Sequence, residues 1–276
     1  MKISIQGQVA SFHHIAAQSY FNDPDILGCQ SFEQTITALT DKITDFAIVA
    51  IENSLYGTIN EVYDLILNKE VKICGEIYLR IEQNLISLPD ASLNEIAEVY
   101  SHPVALAQCE DFLDKQLTNV SRFEHHDTAG SVFDIKKWGD KSKAAIASES
   151  AAKLHGMKVL ARSIETNKQN YTRFVVLCRK DDLTSNTNSN KTSIVLQAQA
   201  DNKPGSLVNA LNIFAKNNIN ITALHSRPVI GKAWHYMFYI DLEIIKSSKV
   251  YDQIFTKLEE LGYKAVVLGD YTKASI

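Results

Sequence analysis

Hydrophobic and polar positions in the first 180 residues alternate between short apolar runs and amphipathic stretches. The segment Lys2–Gln6 alternates like a short strand, and the apolar residues after Ser11 recur at helical spacing through Phe21. The run Phe46–Ile51 is continuously apolar, as in a buried strand, and it ends in the polar residues 52–54. This alternation predicts an α/β fold, in which polar residues that follow the strands lie where ligands bind.

The pattern occurs twice, separated by a long β-rich segment, Val71–Leu88, which we interpret as a crossover between two lobes. The chain returns to the first lobe at Asn170–Leu177. A crossover in each direction predicts two doubly wound lobes with a cleft between them. We place the first lobe at about 1–78 and 168–180 and the second at about 79–167, together forming one domain over residues 1–180.

The remaining elements of these lobes follow the same alternation. Pro103 suits the first position of a helix, because its missing N–H would have no partner there. Strands are predicted at Glu98–Ser101, Ser121–His126, Ala144–Ala147 and Val159–Ala161, and helices at Ser31–Asp41, Ile59–Leu67, Pro103–Leu113, Thr128–Trp138 and Ser148–His155.

A polar segment at residues 181–191, with Leu183 as its one apolar residue, predicts a linker. Residues 192–276 follow the order βαββαβ, which is the ferredoxin-like unit. The exposed sheet edge and the turn at Asp201–Gly205 are natural places for a partner subunit and a small ligand. The predicted elements are Thr192–Ala200, Ser206–Asn217, Ile219–Val229, Trp234–Glu243, Ser247–Leu261 and Ala265–Tyr271.

Composition and charge narrow the possible functions. The formal net charge of −4 argues against nucleic acid as the main partner. No apolar run approaches the ~20 residues that span a bilayer, and the first residues do not resemble a signal peptide, so we expect no membrane association. The four cysteines are scattered, which fits reduced thiols in a cytoplasmic protein. Helix starts and a strand end account for the histidines at 13–14 and 125–126, so we predict no metal site.

Three segments carry candidate chemistry. Thr172 and Arg173 stand at the mouth of a strand, where a hydroxyl beside a guanidinium can grip a carboxylate and supply a proton. The alternative is an arginine at a strand edge, paired with a surface acid. The strand–turn–helix around Ser11 leaves backbone N–H groups free for an anion, but it lacks the glycines of a dinucleotide site. Asn53 and Ser54 also follow a strand, although turn chemistry alone would explain them.

In combination, these segments resemble the prephenate dehydratase family with a C-terminal ACT regulatory domain. The resemblance covers nearly the whole chain, and its motifs stand in the family's order. They are Glu52-Asn53-Ser54 with Gly57, Ser101-His102-Pro103 with residues 105–109, Asp127-Thr128-Ala129, residues 144–147, Asn170-Tyr171-Thr172-Arg173-Phe174, Pro204-Gly205-Ser206-Leu207 and His225-Ser226-Arg227-Pro228.

The resemblance implies a fold like the type II periplasmic binding proteins over residues 1–180 and an ACT domain over residues 192–276. It implies a carbon-oxygen lyase without a cofactor, which converts prephenate into phenylpyruvate, carbon dioxide and water in phenylalanine biosynthesis. The catalytic residues would be Thr172 and Arg173. The substrate-binding residues would be Ser11, Phe12, Asn53, Ser54, Thr128, Ala129, Asn170 and Phe174.

The resemblance also implies feedback by L-phenylalanine and a homo-oligomer, a dimer or tetramer, formed through the ACT domains. Gly205 would let backbone approach the effector closely, and the helix start after it suits a carboxylate. The effector-binding residues would be Pro204, Gly205, Ser206, Leu207, His225, Ser226, Arg227 and Pro228.

Several positions depart from the family pattern. The family usually has Gly and then Thr-Phe-Ser where this chain has residues 10–13, Ala-Ser-Phe-His. Val104 replaces a Gln, Asp127 a Ser, Ser206 an Ala and His225 a Glu. Three alternatives stay open: an arogenate dehydratase, a non-catalytic amino-acid sensor, and an ACT domain that serves dimerisation only.

Overall fold

A computed structural model of the chain describes residues 1–182, 188–198 and 204–275. Residues 183–187 of the predicted linker, residues 199–200 of a predicted strand and residues 201–203 of the predicted turn lie outside this description. The chain forms two compact units. The first contains Met1–Gly57 and Tyr78–Phe174, and the second contains Thr58–Ile77 and Val175–Ile276. The domain boundaries given above stay a prediction.

Strands and helices alternate from the first residues onward. The described residues also include two short 3-10 helices, at Leu93–Glu95 and Lys180–Asp182. In chain order the elements are β1 (Lys2–Gln6), α1 (Phe12–Tyr20), β2 (Asp25–Cys29), α2 (Phe32–Thr40), β3 (Phe46–Asn53), β4 (Gly57–Thr58), α3 (Asn60–Asn68), β5 (Val71–Arg80), β6 (Asn84–Ser87), β7 (Glu98–Ser101), α4 (Pro103–Gln108), α5 (Glu110–Gln116), β8 (Ser121–Glu124), α6 (Thr128–Trp138), β9 (Lys143–Ala147), α7 (Glu149–His155), β10 (Lys158–Ala161), β11 (Tyr171–Arg179), β12 (Lys191–Ala198), α8 (Ser206–Lys216), β13 (Asn220–Pro228), β14 (Tyr236–Glu243), α9 (Lys249–Glu260) and β15 (Tyr263–Tyr271).

The first unit contains strands of two sheets. In one, β1 pairs in parallel with both β2 and β3. The other has the order β10-β6-β9-β7-β8, and it is mixed: β7 runs parallel to β8 and β9, whereas β6 runs antiparallel to β9 and β10. The strand pattern places small and branched apolar residues such as Ala144–Ala147 in the core, where they are fully buried.

The structure corrects several predicted elements. The strand β2 had not been predicted, because an edge strand with two exposed residues lacks a continuous apolar run. The predicted helix Pro103–Leu113 is two helices that meet at Cys109, and the predicted strand Ser121–His126 ends at Glu124. Trp234 lies outside β14, and it is 86% exposed.

The C-terminal sheet lies in the second unit and has the order β13-β14-β12-β15. Its neighbouring strands are all antiparallel. With α8 and α9 this confirms the predicted βαββαβ order. The buried core combines one face of the sheet with one face of each helix, and it includes Ile194, Phe214, Ile240, Ile254 and Leu258.

Two segments of the first unit connect its sheets, at residues 81–83 and 162–170. The Ile81 N–H donates to the Asn170 carbonyl at 2.8 Å, and the Ile164 N–H donates to the Gln83 carbonyl at 2.8 Å. The Glu165 carboxylate, 1% exposed, joins the same two segments. It accepts from the Gln83 N–H at 2.9 Å and from the Ser163 hydroxyl at 2.8 Å. These contacts determine where Asn170 and the strand after it begin.

We predict that Glu165→Ala lowers the free energy of unfolding by about 3 kcal/mol, because it leaves the buried Gln83 N–H without an acceptor and removes a charged hydrogen-bonding group. Urea unfolding followed by circular dichroism measures the change. The matched control is Glu149→Ala, which removes a surface ion pair with Arg162 and should have a much smaller effect. Equal losses in the two variants would contradict a special role for Glu165.

Candidate active site

The side chain of Asn53, the last residue of β3, connects β3 to the beginning of β11. Its amide nitrogen donates to Thr172 Oγ1 at 3.0 Å and to Asn170 Oδ1 at 2.9 Å. Its carbonyl oxygen accepts from the backbone N–H groups of Leu55 and Tyr56, both at 3.0 Å. One amide therefore closes the turn after β3 and also positions two polar side chains of the neighbouring strand.

Ser54 fixes the same two strand ends through the backbone. Its N–H donates to the Tyr171 carbonyl at 2.8 Å, and the Tyr171 N–H donates to Ser54 Oγ at 2.9 Å. Its hydroxyl then donates to the Gln169 carbonyl at 2.9 Å. The Ser54 hydroxyl thus both donates and accepts inside the protein, which fits a positioning role better than a direct substrate contact.

Thr172 and Asn170 each keep a donor available for a ligand. Because Thr172 Oγ1 already accepts from Asn53, its hydroxyl hydrogen can point to another acceptor. Asn170 is fully buried, and within the part of the chain that the structure describes its side-chain nitrogen has no acceptor. Buried donors without a partner are costly, so a bound oxygen atom would be stabilised here.

Arg173 and Phe174 follow Thr172 along β11, and both are buried. Side chains of successive strand residues point to opposite faces, so Arg173 lies on the other face of β11 from Thr172. The hydroxyl and the guanidinium that the sequence places next to each other thus lie on opposite faces, and their joint grip on a carboxylate stays a prediction. Phe174 packs edge-on against the ring of His13 at 5.0 Å, as part of the core.

Three helices begin near Ala10. Ser11 caps α1 by accepting from the His14 N–H at 3.3 Å, and the buried Ser148 caps α7 in the same way. The Ser148 hydroxyl also donates to the Ala10 carbonyl at 2.7 Å. Ala10 shares a hydrophobic cluster with Ala129, in the first turn of α6. The Ser148–Ala10 hydrogen bond joins the starts of α1 and α7, and the first turn of α6 belongs to the same hydrophobic cluster; free N–H groups at helix starts suit an anion.

Of the predicted substrate-binding residues, Ser11, Thr128 and Ala129 lie at these helix starts. Thr128 is the first residue of α6, which Asp127 caps through the Gly130 N–H. Ala10 holds a left-handed backbone with φ of 69°, at the position where the family usually has glycine. We had not predicted a role for Ser148. The sequence signal that could have indicated this role is a serine between a buried strand and a helix, as at Ser11.

Two neutral histidines support the α1 segment. The Nε2 of His13 accepts from the Ala50 N–H at 3.1 Å, and its ring lies between Phe32 and Phe174. This burial lowers the pKa of His13 to about 3. The Nδ1 of His14 accepts from the Ala10 N–H at 3.1 Å, and partial burial lowers the pKa of His14. Both rings act as acceptors, which requires the uncharged form.

His125, His126 and Asp127 bring potential metal ligands within 4.8 Å of one another. Both ring nitrogens of His125 already have hydrogen-bonding neighbours, the Asp127 carbonyl at 2.8 Å and the Asp134 carboxylate at 3.2 Å. The Asp127 carboxylate also caps α6. The three residues are therefore explained by the start of the helix.

The predicted effector residues are on two elements of the second unit. Gly205, with φ of 83°, precedes Ser206 and Leu207 at the start of α8. On β13 the side chains alternate: Ser226 and Pro228 are exposed, whereas His225 and Arg227 are partly buried.

His225 and Arg227 contact the segment around α3. A ring nitrogen of His225 lies 2.9 Å from Thr58 Oγ1. Arg227 Nη2 donates to Asp64 Oδ2 at 2.5 Å, and the Tyr239 hydroxyl donates to Asp64 Oδ1 at 3.3 Å. Burial, and then the Asp64 charge, raise the pKa of Tyr239, so its hydroxyl remains a donor. The sequence did not reveal these contacts, which join residues far apart in the chain.

Comparison with known proteins identifies both parts of the chain. The family model described as prephenate dehydratase matches residues 3–182, and the ACT domain model matches residues 194–261. A bifunctional chorismate mutase/prephenate dehydratase of Aquifex aeolicus is 36% identical over 275 residues, which is 99% of this chain and 74% of that protein. The chain belongs to the prephenate dehydratase family.

Other similar proteins carry different names. An arogenate dehydratase/prephenate dehydratase of Arabidopsis thaliana is 33% identical, over 98% of this chain and 72% of that protein. The solved prephenate dehydratase of Arthrobacter aurescens, in complex with L-Phe, has a TM-score of 0.89 at 26% identity, covering 99% and 90% of the two chains. A structure described as a novel type of quorum quenching acylase has a TM-score of 0.90 at 28% identity, covering 99% and 98%.

Membership of the prephenate dehydratase family confirms the predicted fold class and enzyme class. The former is a mixed α/β catalytic domain of the periplasmic-binding-protein-like type, followed by an ACT domain with a four-stranded sheet. The latter is a lyase of aromatic amino-acid biosynthesis. None of the helices in the described ranges has the length and apolar character of a membrane-spanning helix.

We predict that His13 makes stability depend on pH. The pKa of its side chain is about 3 in the folded protein, against an ordinary value of 6.5, so between these values the unfolded chain binds more protons. The contribution of His13 to stability is complete above about pH 6.5 and is lost as the pH falls toward 3.

Urea unfolding at a series of pH values tests this dependence. His13→Gln keeps an acceptor for the Ala50 N–H but does not titrate, so its stability should fall less steeply below pH 6.5. The exposed His126, changed to Gln, is the matched control. The prediction is wrong if wild type and His13→Gln lose stability in parallel.

Proposed function

We propose that the chain converts prephenate into phenylpyruvate, carbon dioxide and water, with Thr172 as the group that helps hydroxide to leave. The observation that carries this proposal is the hydrogen bond from Asn53 to Thr172 Oγ1, beside the Asn170 side-chain nitrogen, which has no acceptor among the described residues. The match of the family model to residues 3–182 supports the reaction class. Aromatisation of the ring provides the driving force, so the enzyme has to hold the substrate and assist the leaving group.

The hydroxyl of Thr172 is a weak acid, and its environment compensates for this in part. The Asn53 amide donates to Oγ1, which polarises the O–H bond and directs its hydrogen away from Asn53. A donor placed at the ring hydroxyl of prephenate would stabilise the charge that develops on the leaving oxygen. Positioned proton donors of this kind contribute roughly 10²–10⁴ in rate.

The two carboxylates of prephenate need donors as well. We propose that the N-termini of α1 and α6 hold one of them, with Ser11, Phe12, Thr128 and Ala129 around it. Asn170 would donate to the substrate from the side of β11. Ser54 would position Asn53, and Phe174 would support the α1 segment through its contact with His13.

Arg173 remains our candidate for the carboxylate clamp. It is 4% exposed, which argues against a surface ion pair as its role. Because it lies on the opposite face of β11 from Thr172, it would act on the side-chain carboxylate at the margin of the site. A strong ion pair with the departing carboxylate would stabilise the ground state and oppose the loss of carbon dioxide.

We further propose that the ACT domain binds L-phenylalanine and forms a homo-oligomer, a dimer or tetramer. The phenylalanine bound to the Arthrobacter aurescens enzyme supports the effector. Exposed apolar side chains on and beside α8 and β13, namely Val208, Leu224 and Trp234, support an interface. An ACT domain that serves only dimerisation is the alternative. A cytoplasmic location remains a prediction from the sequence.

Arogenate dehydratase is the second candidate, because relatives with that name are 32–33% identical to this chain. Arogenate differs from prephenate by carrying an amino group in place of the keto group. A non-catalytic amino-acid sensor is the third, and the available donors of Thr172 and Asn170 argue against it.

The substrate is tested by incubating the purified chain with prephenate and, separately, with arogenate. We expect phenylpyruvate, detected by its ultraviolet absorbance, and a higher kcat/KM for prephenate. A higher value for arogenate, measured as phenylalanine formed, would favour the second candidate. Turnover of neither substrate would contradict the lyase proposal and favour the sensor.

We predict that Thr172→Ala lowers kcat for prephenate by at least about 10²-fold, because the proton donor is lost. Thr172→Ser is the matched control: it keeps the hydroxyl, and kcat should stay much closer to wild type. Far-ultraviolet circular dichroism should be the same for all three proteins. Near-normal turnover by Thr172→Ala would remove Thr172 from the mechanism.

A further inference from the structure

Three side-chain hydrogen bonds connect the segment around α3 to β13 and β14, which are neighbouring strands of the ACT sheet. Thr58 contacts His225, and Asp64 contacts both Arg227 and Tyr239. The aromatic ring of Tyr63 packs between them, 4.7 Å from the ring of Tyr239 and 5.9 Å from that of His225. These residues therefore form one connected group, which is defined here as the α3–β13 contact.

Asp64 is the centre of the α3–β13 contact, because its two oxygens have different partners. Oδ2 accepts from the charged guanidinium of Arg227, and Oδ1 accepts from the neutral hydroxyl of Tyr239. The side chains of Asp64 and Arg227 are 24% and 26% exposed, so their ion pair is largely shielded from water. Removing Asp64 would leave the Arg227 charge without a partner, which is costly, so another anion has to take its place.

Arg227 has more donors than Asp64 uses. Its Nη2 binds Asp64, whereas its buried Nε has no acceptor among residues 1–182, 188–198 and 204–275. A guanidinium binds a carboxylate best through two parallel N–H groups. The carboxylate of an amino acid could satisfy Nε together with a second nitrogen, and that geometry would draw Arg227 away from Asp64.

The segment around α3 continues directly from the candidate active site. Thr58 follows Asn53 by five residues, and the turn between them is closed by Asn53 Oδ1 on the N–H groups of Leu55 and Tyr56. The same Asn53 side chain binds Thr172 and Asn170. A shift at Thr58 would therefore displace the turn that begins at Asn53, and Asn53 orients Thr172, the proposed proton donor.

We infer that Asp64 competes with the carboxylate of bound phenylalanine for Arg227, and that release of Asp64 transmits effector binding to Asn53 through Thr58. Asp64 thus lowers the affinity for the effector and couples it to turnover. This inference rests on the proposed regulation by phenylalanine. Thr58 and Asp64 are positioning residues, since neither belongs to the proposed substrate or effector contacts.

The test is isothermal titration of the full chain with L-phenylalanine, in wild type and in Asp64→Asn. The asparagine keeps the shape and an acceptor for Tyr239 but loses the charge that holds Arg227. We expect the dissociation constant to fall by at least about fivefold, and the effect of saturating phenylalanine on kcat/KM for prephenate to shrink. A variant that merely weakened the fold would bind phenylalanine less tightly.

Thr58→Val tests transmission without changing the ion pair. It removes the contact with His225, so phenylalanine should bind as in wild type but change kcat/KM less. The matched control is Glu243→Gln, which removes an ion pair with Lys273 elsewhere in the same sheet and should alter neither measurement. Circular dichroism establishes that each variant is folded, and Thr58→Val remains informative if Asp64→Asn is not.

The outcomes separate this inference from the proposal beneath it. Phenylalanine binding that is equal or weaker in Asp64→Asn, with wild-type binding intact, overturns the competition. A full wild-type response in Thr58→Val overturns the transmission. If phenylalanine binds neither wild type nor Asp64→Asn, the proposed effector and this inference both fail, while turnover of prephenate by the same samples tests the lyase activity independently.

Discussion

The candidate active site depends on one side chain, the amide of Asn53, which connects two strand ends. It donates to Thr172 and Asn170 on β11, and it accepts from the turn that follows β3. The amide supplies two N–H donors and an acceptor oxygen at this point; a hydroxyl would offer one donor, and a carboxylate would lack the donor that leaves the Thr172 hydroxyl hydrogen available. The chemistry assigned to Thr172 therefore depends on Asn53 as much as on Thr172.

The rest of the first unit holds this arrangement in place. Glu165 joins the two connecting segments, and the second of these delivers Asn170 to its position beside Asn53. The buried Ser148 hydroxyl joins the starts of α7 and α1 at Ala10, and the first turn of α6 contributes Ala129 to the same hydrophobic cluster. Side-chain donors and helix N-termini together provide what a substrate with two carboxylates and a hydroxyl requires.

In the proposed regulation, the turn after Asn53 would carry the effect of phenylalanine binding to Thr172 and Asn170. Thr58 and Asp64 continue the chain after Asn53, and both bind residues of β13 and β14. Coupling of about 1–3 kcal/mol is typical between effector and active sites. Few contacts are therefore needed, provided that they act on the residue that orients the donor.

Periodicity along the chain determined most of the elements, the βαββαβ order of the tail and the helices that begin after Ser11 and Asp127, because these depend on residues close in sequence. Family motifs located Asn53, Asn170 and Thr172, although not the hydrogen bonds between them. Only the tertiary structure decided the edge strand β2, the break at Cys109, the role of Ser148 and the partners of Asp64. Each depends on contacts between segments far apart in the chain, and local pattern carries no information about which segments will meet.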